Sequence, residues 1–164
     1  MTRTPKNKIH QSLLLVLSLL ILFTQTVAAN QPSVITREQI SLLTLRGKSL
    51  KQTREFLAAL RQVESSGNDK AVGDNGNAIG AYQIWRDYWQ DAVEFDKTIG
   101  GKYADCFNRQ YSERVVVAYL NKYAPEGASW ETFARIHNGG PKGYKIKATE
   151  EYWQKVKREL QKQK

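Results

Sequence analysis

The sequence ESSGNDKAVGDNGNAIGAYQI, residues 64–84, separates two stretches in which apolar side chains recur at helical spacing. The first stretch, Leu50 to Val63, runs directly into Glu64, and a second, aromatic stretch begins at Tyr82. The residues between them are rich in glycine and in polar side chains, which favour tight turns. The pattern predicts a helix that ends near Glu64, a polar loop, and a further helix.

Two carboxylates, Asp69 and Asp74, lie in this loop shortly after Glu64. Hydrolysis of a glycosidic bond uses two carboxyl groups, here Glu64 and one loop aspartate. One carboxyl group acts as an acid, and the other supports the positive charge that develops on the sugar. Asp74 is followed by Asn75-Gly76, and this sequence also forms turns readily, so a purely structural role for Asp74 stays open. The stretch indicates a site that cleaves glycosides, with the second carboxylate not yet assigned.

The first 29 residues have the three parts of a secretory signal. A basic start precedes an apolar run, residues 12–23, and Val27-Ala28-Ala29 offers small residues for cleavage. The apolar run is shorter than the roughly 20 residues that a membrane-spanning helix needs. We expect a signal peptide over 1–29, an N-terminal helix or linker over 30–50, and a compact catalytic domain over 51–164. The mature protein is expected to be periplasmic or secreted without stable membrane insertion; an uncleaved N-terminal anchor is the alternative.

Cysteine and histidine are scarce. Cys106 is the single cysteine, and His137 is the one histidine after the expected signal. A framework of disulfides is therefore excluded, and a buried apolar role fits Cys106 better than that of a nucleophile. A Cys/His or Ser/His/Asp catalytic set is hard to build from this composition, and the spacings typical of metal ligands are absent. We expect no metal and no organic cofactor.

The chain is basic, with a formal net charge of +9. A basic exported protein favours polyanionic surfaces such as cell wall, lipopolysaccharide or nucleic acid. Part of the charge lies in a C-terminal run that a solvated helix face explains equally well. Because no motif that reads nucleic acid is present, we expect a wall polymer and not nucleic acid as the partner.

Helical patterns cover most of the chain after the signal. Thr36-Arg37-Glu38-Gln39 has the form of a capping box and opens a short helix predicted to end near Gly47. The one competing strand pattern is a small hairpin in the loop over 72–79. The predicted fold class is therefore all-α, with that hairpin in the loop of the site. Further helices are predicted over 50–63, 82–95, 108–123, 129–136 and 149–161.

The loop and several later motifs resemble a known family. ESSGN (64–68) and GAYQI (80–84) look like the core of the lysozyme-like superfamily, which includes soluble lytic transglycosylases. The later motifs narrow the resemblance to invertebrate-type (destabilase-like) lysozymes, and the likeness covers roughly residues 57–160. These motifs are YWQD (88–91), VVAYLNKY (116–123), ARIHNGGP (134–141) and YWQKV (152–156).

The resemblance implies a lysozyme that cleaves the β-1,4 bond between N-acetylmuramic acid and N-acetylglucosamine. It implies Glu64 as the general acid and a loop aspartate as its partner. Asp74 is the better match because it precedes Asn75-Gly76 as the family's aspartate precedes its own glycine. The loop is one or two residues shorter than in the family. If the two loops are aligned without a gap, the family's aspartate falls on Gly73. Asp69 is the alternative to Asp74 as the second carboxylate.

Eight more side chains are expected to contact the saccharide. Aromatic rings offer apolar faces and hydrogen-bonding edges, and glycine turns bring the backbone close to a ligand. The alternatives are helix packing for the aromatic residues and a structural turn around His137. Trp130, Tyr152 and Trp153 are expected in the core. The expected contacts are Tyr82, Gln83, Tyr88, Trp89, Asp91, Tyr123, His137 and Asn138.

Two rival functions stay open at this point. A lytic transglycosylase uses a single glutamate and closes the muramoyl ring instead of adding water. A non-catalytic module would bind the cell wall without turnover. The resemblance also implies a lysozyme inhibitor protein as a partner, and the chain departs from the disulfide-rich family in carrying ordinary residues such as Ile79 and Tyr144 where cysteines are expected.

Overall fold

The computed structural model describes residues 36–163, and the signal peptide expected over 1–29 lies outside them. The described part is mainly helical with one small antiparallel sheet, which confirms the all-α class with a hairpin. No helix within residues 36–163 combines the length and the apolar character needed to cross a membrane. The helices are α1 (Arg37–Ser41), α2 (Leu50–Ser65), α3 (Arg86–Phe95), α4 (Arg109–Tyr123), α5 (Trp130–Gly139) and α6 (Thr149–Lys162).

Side-chain caps fix where the first helices begin. The backbone N–H of Gln39 donates to Thr36 Oγ1, and the Thr36 N–H donates to Gln39 Oε1, which is the predicted capping box of α1. Ser49 and Gln52 form a second such pair at the start of α2. These bonds satisfy N–H groups that the first turn of a helix leaves without partners. Helix α1 ends well before the predicted boundary at Gly47, which lies in a turn.

The sheet has three short strands in the order β1-β2-β3. Strand β1 (Val72–Gly73) pairs with β2 (Ala78–Ile79), and this pair is the predicted hairpin. Strand β2 also pairs with β3 (Ile84–Trp85), placing Ile79 opposite Ile84. The sheet therefore joins the loop after α2 to the start of α3.

The helix predicted over 82–95 begins only at Arg86, so its first four residues were assigned wrongly. Gln83 has a φ of 45°, in the left-handed region, and this ends any helical path from Tyr82. Ile84 and Trp85 then extend as β3 with alternate burial, Ile84 inward and Trp85 outward. The change of direction brings Trp85 to the surface beside the loop.

The core surrounds α4, whose residues 115–120 are buried. Aromatic rings from α2 and α5 close one side, with Phe56 stacked on Trp130 at 5.0 Å between ring centroids and next to Phe133. Cys106 is buried as expected, and this burial raises the pKa of its thiol to about 12. A thiol with so high a pKa stays protonated and unreactive at neutral pH.

The chain just before α2 packs onto the domain. Leu45 is buried, and its backbone N–H donates to the hydroxyl of Thr53 at 3.1 Å. The Arg46 guanidinium donates to the backbone carbonyl of Asn121, and the Asn121 side chain donates in turn to the Thr44 carbonyl. Within the segment 30–50, residues 44–46 are thus held against α4.

A buried polar cluster fixes the turn that follows α5. The Arg135 guanidinium donates to Thr149 Oγ1 at 2.9 Å and to the carbonyl of Ile146 at 3.1 Å. The Thr149 hydroxyl donates to the carbonyl of Gly143 at 2.8 Å. These bonds hold residues 143–149 against the end of α5, where His137 lies.

Replacing Gly143 by alanine is expected to destabilise the fold. A Cβ atom on Gly143 would overlap the Arg135 carbonyl oxygen, so the backbone of α5 or of the turn would have to move. Such overpacking costs about 1–3 kcal/mol. Urea unfolding of Gly143→Ala should show that loss in the free energy of unfolding, while Lys142→Ala, at the exposed neighbouring position, should unfold like the original protein. Equal stability of all three proteins would contradict this packing.

Candidate active site

A cleft of about 270 Å³ lies where α2 ends, α3 begins and α5 ends, with the sheet on one side. Both Glu64 and Asp74 line it, so the structure brings two predicted carboxylates to one opening. Four of the predicted substrate contacts line it as well. The lining residues are Glu64, Asp74, Ala78, Gln83, Trp85, Tyr88, His137 and Asn138.

A larger cavity, of about 730 Å³, lies between the segment 41–48 and the facing parts of α3 and α4. Its one acidic lining residue is Asp96, whose carboxylate accepts hydrogen bonds from the backbone N–H and hydroxyl of Thr98. This cavity therefore lacks a carboxylate pair. Chemistry, and not size, makes the smaller cleft the candidate active site.

Glu64 is held at the end of α2 from the protein side of the cleft. The hydroxyl of Tyr152, on α6, donates to Glu64 Oε1 at 2.6 Å. His137 Nε2, on α5, lies 3.4 Å from the same oxygen. The Glu64 side chain is 17% exposed. One carboxyl oxygen is thus surrounded by protein groups, and the second is left for the cleft.

The tyrosine that contacts Glu64 keeps its proton. Burial, followed by the negative charge of Glu64 and the hydrogen bond to it, raises the pKa of Tyr152 well above its ordinary value. A protonated phenol at 2.6 Å from a carboxyl oxygen is a strong donor. Tyr152 therefore fixes the orientation of Glu64.

The helix end that carries Glu64 is tied to the sheet region. Ser66 adopts a left-handed conformation (φ 54°) and donates its N–H to the Gln62 carbonyl, which closes α2. The Ser65 hydroxyl donates to the carbonyl of Ala81 at 2.9 Å. Residues in sparsely populated backbone regions recur at functional sites, where the surrounding contacts maintain them. The ESSG sequence thus positions Glu64 against the loop.

Asp74 lies at the turn between β1 and β2. Asp74 and Asn75 both have positive φ values, 49° and 54°. Aspartate and asparagine tolerate this region better than other residues with a Cβ atom. The turn sequence and the cleft position are therefore compatible, since the same turn that favours Asp-Asn-Gly carries Asp74 to the cleft.

Asp69, the alternative second carboxylate, is bound elsewhere. Its two oxygens accept from Arg109 Nε and Nη2, each at 2.9 Å, and Asp69 does not line the cleft. Arg109 also donates to the Gly67 carbonyl at 3.3 Å. This paired arrangement anchors the loop to α4. Asp74 is thus the loop carboxylate that shares the cleft with Glu64.

Gly73 leaves space for a side chain of the site. A Cβ atom at this position would overlap Gln83 Oε1, at a separation far below a normal contact. The Gln83 amide donates to the Gly80 carbonyl at 3.0 Å and lines the cleft. An aspartate at position 73 would therefore displace the Gln83 side chain, whereas Asp74, the next residue, lines the cleft.

Four predicted substrate contacts lie away from the cleft lining, each with a protein partner. The Tyr82 hydroxyl donates to Glu113 and Trp89 Nε1 donates to the Tyr111 hydroxyl, so the helix-packing interpretation fits both. Asp91 accepts from Lys122 at 2.6 Å and from Tyr123 at 2.7 Å. Burial acts to raise the pKa of Asp91, but these two hydrogen bonds and the positive charge of Lys122 together outweigh it and hold the pKa below its usual value. Four of the predicted substrate contacts therefore bind other protein groups and do not line the cleft: Tyr82, Trp89, Asp91 and Tyr123.

Two side chains of the site were missed by the sequence analysis. Trp85 lines the cleft and is 49% exposed, because it points outward from β3 while Ile84 points inward. Alternation at Ile84-Trp85 is too short a signal to separate from a helix start. Tyr152 was expected in the core; it is indeed buried, yet its hydroxyl reaches Glu64. A buried tyrosine hydroxyl needs a hydrogen-bond partner, and this need was the signal that could have pointed to a polar contact of Tyr152.

Within residues 36–163 the structure contains no group of three or more histidine, cysteine or acidic side chains placed to hold a metal ion. Two carboxyl groups line one open cleft, and one of them accepts a hydrogen bond from Tyr152. Enzymes that cleave glycosidic bonds use such a pair of carboxyl groups.

Comparisons with known proteins agree with this class of site. The sequence profile of the Destabilase family matches residues 53–159, and the chain belongs to that family. It is 41% identical over 86 residues to Lysozyme 1 of Crassostrea virginica, over 50% of this chain and 45% of that protein. It is 33% identical over 102 residues to Invertebrate-type lysozyme 6 of Caenorhabditis elegans, over 54% of this chain and 74% of that protein. The chain thus spans about half the length of the first of these relatives, and the resemblance to invertebrate-type, destabilase-like lysozymes is confirmed.

A solved structure shares the fold. Meretrix lusoria lysozyme, in complex with PliI of Aeromonas hydrophila, superposes with a TM-score of 0.55 and 28% identity. The match covers 64% of this chain and 88% of that one. The lysozyme-like fold predicted from the motifs is therefore confirmed.

Proposed function

We propose that this protein is a lysozyme that hydrolyses the β-1,4 bond between N-acetylmuramic acid and N-acetylglucosamine in peptidoglycan. The observation that carries the proposal is that Glu64 and Asp74 line one cleft, with Glu64 oriented by Tyr152. The names of the relatives, which are called lysozymes, support the same activity.

The proposed reaction assigns a different task to each carboxyl group. Protonated Glu64 donates its proton to the oxygen of the leaving sugar as the glycosidic bond breaks. Asp74, as a carboxylate, stabilises the positive charge on the sugar carbon or attacks that carbon as a nucleophile. Water then adds to the sugar carbon and returns a proton to Glu64. Neither step requires a metal or a cofactor.

The residues around the carboxyl pair supply sites for the sugar. Gln83 and Asn138 bring amide groups to the cleft, which both donate and accept hydrogen bonds. Trp85 offers an exposed aromatic face on which a sugar ring can stack. The basic charge of the chain favours attraction to an anionic wall, and we infer an exported protein on the basis of its N-terminal sequence.

Replacing Trp85 by alanine is expected to weaken substrate binding more than turnover. Loss of the stacking face should raise KM about five- to tenfold with kcat little changed, because stacking contributes about 1 kcal/mol before and during the reaction alike. Steady-state kinetics on soluble wall fragments measures both constants, and Trp85→Phe should recover part of the loss. Phe95→Ala removes an equally exposed aromatic ring outside the cleft lining and should leave KM unchanged. A rise in KM for Phe95→Ala alone would exclude this role for Trp85.

The proposal is tested by incubating purified peptidoglycan with the mature protein and following turbidity. We expect turbidity to fall and soluble fragments to appear. Sedimentation of the protein with peptidoglycan, at unchanged turbidity, would instead support a wall-binding module without catalysis. The activity should fall at high salt, since attraction between a basic protein and an anionic polymer is screened.

We also infer that a protein inhibitor binds this domain. The support is the solved complex in which PliI of Aeromonas hydrophila binds Meretrix lusoria lysozyme, which shares this fold. Adding PliI during peptidoglycan hydrolysis should slow the fall in turbidity.

A further inference from the structure

A line of hydrogen-bonding groups leads from the protein interior to Glu64. The Tyr88 hydroxyl lies 3.0 Å from His137 Nδ1. On the other side of the same ring, His137 Nε2 lies 3.4 Å from Glu64 Oε1, which also accepts from Tyr152. The four side chains come from four different helices, α3, α5, α2 and α6. The Glu64 carboxyl group therefore contacts Tyr152 directly and is linked to Tyr88 through the imidazole ring of His137.

The Tyr88 hydroxyl, which belongs to a half-buried side chain, can form its hydrogen bond with His137 in two ways. In the first, Tyr88 O–H donates to Nδ1, and the ring proton sits on Nε2, facing Glu64. In the second, Nδ1 carries the proton and donates to Tyr88, and the bare lone pair of Nε2 faces Glu64 Oε1. Because a neutral imidazole carries one ring proton, the direction of the Tyr88 bond determines which nitrogen faces Glu64 as a donor.

The surroundings of Tyr88 favour the first arrangement. Tyr88 packs face to face on Tyr119, with 3.5 Å between ring centroids. Within residues 36–163, His137 Nδ1 is the one hydrogen-bond partner that the structure gives to the Tyr88 hydroxyl. If Nδ1 donated to Tyr88, the phenolic hydrogen would lose this acceptor, and the lone pair of Nε2 would face the Glu64 Oε1 oxygen at 3.4 Å, which is unfavourable. Donation by Tyr88 satisfies both groups.

From this geometry we propose that Tyr88 is a positioning residue that locks neutral His137 in the tautomer with its proton on Nε2. The imidazole then donates to Glu64 Oε1 beside Tyr152. The inference rests on the proposed function for its catalytic consequence, but the tautomer itself does not depend on activity.

The arrangement selects which oxygen of Glu64 carries the acid proton. Tyr152 donates to Oε1, and Nε2 of His137 lies 3.4 Å from the same oxygen, so a proton on Oε1 would compete with the Tyr152 hydroxyl and with a proton on Nε2. The structure gives Oε2 no hydrogen-bond partner within residues 36–163. The acid proton is therefore placed on Oε2, the oxygen available to the cleft, and the carboxyl group does not need to rotate before it donates.

The hydrogen bond from Tyr88 suits the neutral ring, because an imidazolium carries N–H groups on both nitrogens and Nδ1 could then no longer accept. Burial, followed by the charges of Tyr119, Glu64 and Cys106, raises the pKa of Tyr88, so its proton stays in place. The other groups facing this cluster are Tyr152 from α6 and Asp74 from the sheet turn across the cleft.

Nitrogen NMR of the imidazole tests the tautomer directly. His10 and His137 are the two histidines of the chain, so full-length protein with His10→Gln, labelled with ¹⁵N-histidine, reports on His137 alone. We expect the neutral ring to carry its proton on Nε2. A proton on Nδ1, or an even mixture of tautomers, overturns the proposal.

Tyr88→Phe tests the part played by the hydroxyl. The ring stack on Tyr119 is kept, and the donor to Nδ1 is lost, so the NMR signals should change to a mixture of tautomers. On peptidoglycan, kcat should fall on the order of tenfold with KM unchanged, because the acid remains but its orientation is lost. The pH profile of kcat should shift, because the ring nitrogen that faces Glu64 Oε1 is no longer fixed as a donor. Tyr119→Phe removes a neighbouring hydroxyl that does not contact His137 and should change neither readout.

The outcomes separate the two proposals. An unchanged tautomer in Tyr88→Phe, or an equal effect of Tyr119→Phe, overturns the positioning role. A changed tautomer with unchanged kcat and pH profile overturns its catalytic consequence. Absence of any wall-degrading activity in the original protein contradicts the proposed lysozyme function, and the NMR result on His137 is still decided by its own spectra.

Discussion

Glu64→Gln is expected to abolish hydrolysis of peptidoglycan, with kcat reduced by about 10²–10⁴-fold, the range that a positioned general acid contributes. Glutamine has nearly the same shape as glutamate. Its amide oxygen can take the place of Oε1 and accept from Tyr152, which leaves an amide nitrogen facing the cleft. The position is filled, but no proton can be given to the leaving oxygen. The measurement is the initial rate of turbidity loss over a series of enzyme concentrations.

A matched control exists on the same helix. Glu55 lies on α2, with its side chain 41% exposed and 3.9 Å from Lys51, so Glu55→Gln removes the same charge far from the cleft lining. This variant should keep the full rate and the full stability, because exposed ion pairs contribute little. Sedimentation with peptidoglycan should be retained in Glu64→Gln, since binding does not use the acid proton. A rate for Glu64→Gln within tenfold of the original would refute its role as general acid.

Asp74→Asn is expected to have the second-largest effect, a fall in kcat on the order of a hundredfold or more. Removing the carboxylate takes away the negative charge that stabilises the sugar cation in the transition state, or the nucleophile that replaces it. Asparagine tolerates the positive φ of this position, so the turn between β1 and β2 should persist. The loss should therefore appear in kcat at unchanged thermal stability.

Asp69→Asn is the matched control for Asp74→Asn. Asp69 is paired with Arg109 at 2.9 Å, with side chains 34% and 41% exposed. Its replacement should lower the free energy of unfolding by less than about 1 kcal/mol and leave kcat nearly unchanged. Inactivity of Asp69→Asn together with activity of Asp74→Asn would reverse the assignment. Activity of both would point to transglycosylation, in which Glu64 works without a second carboxylate.

Most of the helical fold was predictable because local signals agree with tertiary packing. Thr36 and Ser49 each precede a glutamine at the spacing of a capping box, and both boxes form. Ser129, the first residue of the helix predicted over 129–136, caps α5 by accepting from the Thr132 N–H. These starts depend on contacts between residues three apart, which a sequence displays directly.

The start of α3 was not predictable in the same way. Tyr82 to Trp85 has the apolar spacing of a helix, but the backbone at Gln83 is left-handed and Ile84 pairs with Ile79 across the sheet. Both features depend on the loop folding back on itself. The space left by Gly73 for the Gln83 side chain stabilises that path. A contact between residues ten apart in a loop gives no periodic signal.

The residues of the site also fall into two groups: those that sequence motifs predicted and those that only tertiary packing reveals. The resemblance predicted Glu64 and Asp74, and the structure places both at the cleft. Asp91 and Tyr123 lie in motifs shared with the family, yet they bind each other, because a motif marks packing as readily as ligand contact. Tyr152 was assigned to the core from its helical face; only three-dimensional packing brings its hydroxyl from α6 to the end of α2.

The most direct test of the central claim is the chemical form of the wall fragments released by the original protein. Purified peptidoglycan is digested in water enriched in ¹⁸O, and the muropeptides are analysed by mass spectrometry. Hydrolysis by Glu64 and Asp74 predicts N-acetylmuramic acid with a free reducing end that carries the heavy oxygen. Fragments ending in 1,6-anhydromuramic acid, without ¹⁸O, would contradict it.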